Sequence, residues 1–178
     1  MQHADHVALL RPGVANPGGM WAEFGAGTGA FTLALAELLG PAGTLYAVDR
    51  DAGALREGAR LVAARTPGLT FVPVTADFTR PLPNRLPPLD GLLMANALHF
   101  VADRHKEAVV RLLKGYLKPG GVFVLVEYNV DQGNLWVPHP LTFATWQALA
   151  ARAGFAQTRL LGLRPSRFLR EFFSAASA

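Results

Sequence analysis

The stretch that most constrains the chain is Met20-Trp21-Ala22-Glu23-Phe24-Gly25-Ala26-Gly27-Thr28-Gly29-Ala30-Phe31. A short apolar run carries an acid at Glu23. Glycine then takes every second position, and helix-prone sequence continues to Leu39 before Gly40-Pro41. The pattern predicts strand, tight loop and helix. Glycines at such a turn supply backbone with positive φ and leave room for a ligand lying against it. The first amides of the following helix lack intrahelical partners and can donate to a polar group of that ligand. Gly25, Gly27 and Ala30 also satisfy the dinucleotide spacing G-x-G-x-x-G/A, so the loop alone leaves the choice of nucleotide open.

Downstream, Thr44 to Asp49 reads as a second strand ending in an acid. Asp49 follows Gly29 by 20 residues, near the offset at which a carboxylate can accept hydrogen bonds from both ribose hydroxyls. Asp51 is the better placed of the two acids to cap the helix expected from Ala52 to Arg65, which leaves Asp49 free. Leu69 to Val74 predicts a third strand, put at or near a sheet edge by Pro73, and Asp77-Phe78 follow it. After a proline-rich loop, Leu89 to Phe100 reads as a buried central strand. Asn96 lies toward its carboxyl end, where open α/β sheets bind ligands.

A helix from Asp103 to Leu117 is expected next, with Asp103 as its cap, then the turn Lys118-Pro119-Gly120-Gly121 and a strand from Val122 to Glu127. Tyr128 to Pro140, with Trp136 and His139, is a loop long enough to form a lid or a substrate-facing wall. A helix from Thr142 to Ala153 and two closing strands, Phe155 to Leu163 and Phe168 to Ala175, complete the pattern.

The 178 residues fit a single domain, 1–178, with residues 1–17 as a short lead in which Ala4 to Leu10 makes two helical turns. There is no cysteine, hence no disulfide and no thiolate chemistry. His3 and His6 share a helix face, but two imidazoles without a carboxylate are too few for a metal site, and none is expected. No stretch approaches the roughly 18 apolar residues of a membrane span. The first residues lack the basic start and apolar run of a secretory signal, so the expectation is a cytoplasmic protein. The formal charge of +4 is local. Arg152, Arg159, Arg164, Arg167 and Arg170 face Glu171 alone, and the preceding chain is neutral. That tail is read as a solvated outer face, with RNA, an acidic protein partner or a phosphorylated substrate as its alternatives.

Taken in order, Glu23-x-Gly25-x-Gly27-x-Gly29, Asp49, Asp77-Phe78, Asn96-Ala97-Leu98-His99 and Leu117-Lys118-Pro119-Gly120-Gly121 resemble the motifs of the class I S-adenosylmethionine (SAM) dependent methyltransferases. The resemblance runs from about Gly18 to the end. It implies a Rossmann-like α/β fold: a seven-stranded mixed sheet in the order 3-2-1-4-5-7-6, strand 7 antiparallel, with helices on both faces. It further implies SAM as cofactor and S-adenosylhomocysteine as product. Gly25, Ala26, Gly27 and Gly29 would hold the methionine end, with Glu23 helping to orient the amino group and the main chain at Asn96 bordering it. Asp49 would take the ribose, Asp77 and Phe78 the adenine, and Arg50 would flank it.

The implied reaction is in-line transfer of the methyl group to an acceptor, with His99, Glu127 and His139 as candidate bases; the bland reading of each is a polar pocket wall. No N-P-P-Y or D-P-P-Y follows the fourth strand, which argues against the amino-methylating subclass, and there is no long N-terminal helical lid. A small-molecule acceptor is favoured over protein or RNA, and a homodimer is compatible with the sequence. The competing readings are an NAD-dependent oxidoreductase, which would use the same glycines and Asp49, and a non-catalytic SAM-binding subunit.

Overall fold

The computed structural model describes residues 1–84, 86–166 and 168–178. The elements are α1 (His3–Leu10), β1 (Gly19–Phe24), α2 (Ala30–Leu39), β2 (Gly43–Asp49), α3 (Ala52–Arg65), β3 (Thr70–Thr75), β4 (Leu89–Ala95), α4 (Asp103–Lys114), β5 (Leu117–Tyr128), α5 (Phe143–Arg152), β6 (Thr158–Pro165) and β7 (Glu171–Ser177). The strands form one sheet in the order β3-β2-β1-β4-β5-β7-β6. The pairs among β1 to β5 are parallel, and β7 runs antiparallel to both β5 and β6. This is the expected architecture.

Alternation along the strands divides the core in two. On β5, Phe123 and Leu125 pack with Trp146, Val109 and Leu113 from α4 and α5, whereas Val124 and Val126 pack with Leu9, Leu10 and Leu35 from α1 and α2. The central strands are buried on both faces, which is why β4 is apolar almost throughout. β3 is an edge strand, as Pro73 requires. The opposite edge, β6, carries a register irregularity between Leu160 and Gly162.

Three local expectations are corrected. β4 stops at Ala95, because Asn96 turns the chain with φ +52° and Leu98–Phe100 form a 3-10 turn. Asp103 does not cap α4. It is the first helical residue, the cap position belongs to Ala102, and the Asp103 carboxylate instead accepts from Lys106 Nζ at 2.7 Å. β5 begins at Leu117, with the Lys-Pro-Gly-Gly turn folded into its irregular start. By contrast, Asp51 caps α3 as expected, accepting from the amides of Gly53 and Ala54.

Candidate functional site

The carboxyl ends of β1, β2 and β4, with the segment after β3, enclose a cleft of about 620 Å³, within the roughly 300–1,000 Å³ usual for small-molecule sites. Gly25, Gly27, Asp49, Arg50, Asp77, Phe78 and Asn96 line it, so the structure brings together most of the residues singled out from the sequence.

The glycines do different work. Gly27, at φ +53°, has open space where a side chain would project. Gly25 lies so close to the turn after β4 that an added Cβ would stand 2.5 Å from that of Ala97. Gly29 does not line the cleft. Its φ of +94° starts α2, and a Cβ there would come within 2.9 Å of Gly58 on α3, so this glycine serves loop-to-helix packing. Ala26 likewise turns away, into a small apolar cluster with Ala47 and Leu55.

Asp49 stands at the lip of β2. Its Oδ2 accepts from the Gly27 amide and its Oδ1 from the Asp51 amide, both at 2.9 Å. These bonds fix the carboxylate, and each oxygen retains a lone pair for a donor in the cleft. Asp77 lines the opposite side and also closes its own turn. Thr79 donates to it through both hydroxyl and amide, holding its carboxyl below the usual range. Asn96 Oδ1 is buried without a hydrogen-bond partner among the described residues, an orphan acceptor that a ligand ammonium or hydroxyl would satisfy. Asp49, Asp51 and Asp77 outnumber Arg50 around the cleft, a charge balance suited to a cationic, donor-rich ligand and adverse to a pyrophosphate.

Glu23 does not reach the cleft lining. It is 1% exposed and faces α2, where the Thr32 hydroxyl donates to its Oε2 at 2.5 Å. Burial pushes its carboxyl up to about 8, with the Asp49 charge adding to the rise.

Of the three candidate bases, His99 and Glu127 form a buried pair. Glu127 accepts from His99 Nδ1 at 2.7 Å and from its amide at 3.1 Å. The pair lies behind the cleft wall, and His99 is not among the lining residues. The His139 imidazole stands apart, 4.0 Å from Asp103; only its backbone joins the group, donating to His99 O.

Sequence reasoning missed Phe100, which lines the cleft and is 64% exposed; an aromatic just past a strand end was its signal. It also missed Lys106, whose buried ammonium donates to the carbonyls of His139 and Pro140 and pins the loop after β5 to α4. Lys106→Met is expected to lower unfolding free energy by about 1.5–3 kcal/mol, the usual scale for hydrogen bonds to charged groups, as a shift in urea midpoint. An unchanged midpoint would show that the clasp contributes nothing.

The lead histidines separate: His3 meets Glu37 at 2.8 Å and His6 packs on Phe31. In the tail, Arg152 pairs with Glu107, Arg159 donates to Pro12 O, and Arg164 lies 3.9 Å from Asp5. Arg167 falls outside the described residues. No helix among the described residues is long and apolar enough to cross a membrane.

A family model described as a methyltransferase domain matches residues 22–121, more than half of the chain. The chain belongs to the methyltransferase-domain family. Among curated relatives, acetylserotonin O-methyltransferase of Mus musculus is 33% identical over 102 residues, covering 49% of this chain and 26% of the relative. The chain thus spans about a quarter of the length of the curated relatives it matches. Among solved structures, a Leishmania major SAM-dependent methyltransferase superposes with TM-score 0.77 at 17% identity, over 99% of this chain and 72% of that one. Human N-acetylserotonin methyltransferase in complex with SAM gives 0.65 at 18% identity, over 98% and 51%. These structures share the fold of this methyltransferase domain, and the family match sets aside the oxidoreductase reading of its glycines.

Proposed function

We propose that this methyltransferase-family chain binds SAM in the cleft above β1, β2 and β4 and methylates a small hydroxyl-bearing acceptor. The observation that carries the reading is the Asp49 carboxylate, fixed by the Gly27 and Asp51 amides at the lip of a cleft whose glycine opens toward the ligand. When bound, SAM supplies an electrophilic methyl on a sulfonium, whose transfer leaves the carbon–sulfur electron pair on the sulfur of S-adenosylhomocysteine. Asp49 accepts from the ribose hydroxyls, while Asp77 and Phe78 hold the adenine and Arg50 flanks it. Asn96 Oδ1 accepts from the amino group, with Glu23 beneath the loop supporting its position through Thr32.

A hydroxyl acceptor must lose its proton. Imidazole is the commonest general base, and Glu127, by accepting from Nδ1, keeps Nε2 of His99 as the proton-accepting nitrogen. The orienting contact to the His99 amide holds both groups in one geometry. A small hydroxyl acceptor also agrees with the name of the curated relative, an acetylserotonin O-methyltransferase.

Calorimetric titration with SAM, S-adenosylhomocysteine and NAD tests the reading. Binding of the adenosyl pair and not of NAD is expected, and NAD binding or no adenosyl binding would overturn it. Asp49→Ala should weaken SAM affinity by roughly tenfold or more, the scale of one or two hydrogen bonds to a charged group, with the thermal transition retained; unchanged affinity would remove Asp49 from the ribose role. Once an acceptor is in hand, His99→Gln should lower kcat on the order of a hundredfold while leaving SAM affinity unchanged. Full turnover would return His99 and Glu127 to the role of buried structural polar groups.

A further inference from the structure

A second cavity, of about 430 Å³, adjoins the cleft. Thr79 and Arg80 from the loop after β3, Phe100 and Val101 from the turn after β4, and His105 and Ala108 from α4 are among its lining. Thr79, Phe100 and Val101 line both spaces, so the two share a wall. Its apolar side is set by the core and by small residues. Val101 and Val109 are buried in the layer that also holds Leu82 and Leu86. Ala108 is exposed on α4 and carries only a methyl group, which leaves a hollow that a longer side chain would fill.

The polar groups of this cavity are donors. The Arg80 side chain is 83% exposed and lies 3.9 Å from Asp77 Oδ2, while Asp77 Oδ1 is held by Thr79. Arg104 Nε donates to His105 Nε2 at 3.0 Å, which makes Nε2 the acceptor and leaves the ring proton of a neutral His105 on Nδ1. Among the described residues no carboxylate lines the cavity. The nearby acids on α4 are engaged elsewhere, Asp103 by Lys106 and Glu107 by Arg111 and Arg152. One guanidinium and one neutral N–H suit a single negative charge, whereas a doubly charged phosphate would hold its second charge unpaired beside Asp77.

We infer that this cavity binds a small carboxylate with an apolar body, and that its occupancy tightens the hold of the neighbouring cleft on SAM. That the neighbour is SAM rests on the methyl-transfer reading; the carboxylate site does not. The apolar body packs on Val101, Ala108 and Val109, and the carboxylate accepts from Arg80 and His105. The bound molecule also covers Phe100 and Thr79 from the side away from the cleft. Thr79 fixes Asp77, and the Phe100 amide donates to the carbonyl of Ala97, the residue that abuts Gly25. Ordering these shared residues beforehand lowers what the cleft must lose on binding its own ligand. Gly25, Gly27 and Asn96 line only the cleft. The carboxylate therefore lies on the Asp77 side, assigned to the adenine, and acts as an effector and not as a methyl acceptor.

Calorimetric titration of the full chain with 2-naphthoate, and with neutral 2-naphthamide as its isostere, tests the site. The naphthoate is expected to bind, and the amide to bind about fivefold more weakly, the scale of one exposed charge pair. Arg80→Ala should weaken naphthoate binding by about the same factor. Ala108→Phe, at an exposed helix position, should weaken it roughly tenfold or more by filling the hollow, with the thermal transition and SAM affinity unchanged. Saturating naphthoate should tighten SAM binding about fivefold, and Ala108→Phe should abolish that effect. No naphthoate binding, equal affinity for the amide, or parental naphthoate affinity in Ala108→Phe would overturn the site. Unchanged SAM affinity at saturating naphthoate would overturn the coupling; weakened SAM affinity would put the naphthoate in the cofactor cleft and overturn both. If SAM fails to bind while naphthoate binding still depends on Arg80 and Ala108, the methyl-transfer reading falls and the carboxylate site stands.

Discussion

Glu23→Gln is expected to remove the loss of stability that this carboxyl causes between pH 4.5 and about 8, the interval between the ordinary carboxyl value and that of Glu23 in the fold. In that window the folded chain keeps a proton on Glu23 that the unfolded chain releases. Raising the pH therefore favours unfolding, by about 1.4 kcal/mol per pH unit for one such group. The contribution is fully present below the lower value and is lost as pH rises to the upper one. The cause is the placement of a carboxyl 1% exposed beneath the glycine loop, with the Thr32 hydroxyl as its hydrogen-bond partner. Glutamine preserves the shape and an acceptor for Thr32 without the titration. Urea unfolding at about pH 5 and about pH 8 should show the parent protein losing stability across the range and the variant losing much less. Equal losses in both would place the titration elsewhere.

Gly27→Val is expected to eliminate SAM binding, reducing affinity on the order of a hundredfold or more, while the protein still folds cooperatively. Two effects coincide. A β-branched residue is strained at φ +53°. A Cβ there would also meet no neighbour within 4 Å, at a residue that lines the cleft proposed for the cofactor. Strain alone would lower the thermal midpoint and leave affinity intact, so comparing melting with calorimetric titration separates the two. Retained SAM affinity would mean that the loop is a turn and the ligand lies elsewhere. Gly29→Val, by contrast, is directed at packing against Gly58 and should act on stability.

The sheet was legible because period-two burial, glycine turns and apolar central strands are local consequences of the final fold. Pro73 marked its edge and Asp51 its helix cap without reference to anything distant in sequence. Boundaries were lost where a residue's partner is remote or its conformation unusual. Asn96 ends β4 by turning left-handed, and Asp103 is drawn from capping by Lys106, itself held by carbonyls more than thirty residues away. The same limit applies in the site. Asp49, Gly27 and Asn96 follow from a strand-end pattern, whereas the partner of Glu23, the Thr32 hydroxyl on α2 beneath the loop, does not. His99 and Glu127 are 28 residues apart and meet only because β4 and β5 are neighbours. The cavity beside the cleft is assembled from the loop after β3, the turn after β4 and α4, a combination that no single window of sequence contains.

The two margins of the sheet carry a further consequence. At one margin Pro73 removes a hydrogen-bond donor from β3; at the other, β6 breaks its register between Leu160 and Gly162 and carries the charged side chains of Arg159 and Arg164. Neither margin offers a regular row of donors and acceptors for another strand to continue. Two copies of this chain that associate would therefore do so through helices, loops or side-chain surfaces, and not by joining their sheets into one. The same features protect the native state from the strand-on-strand growth that exposed edges otherwise invite.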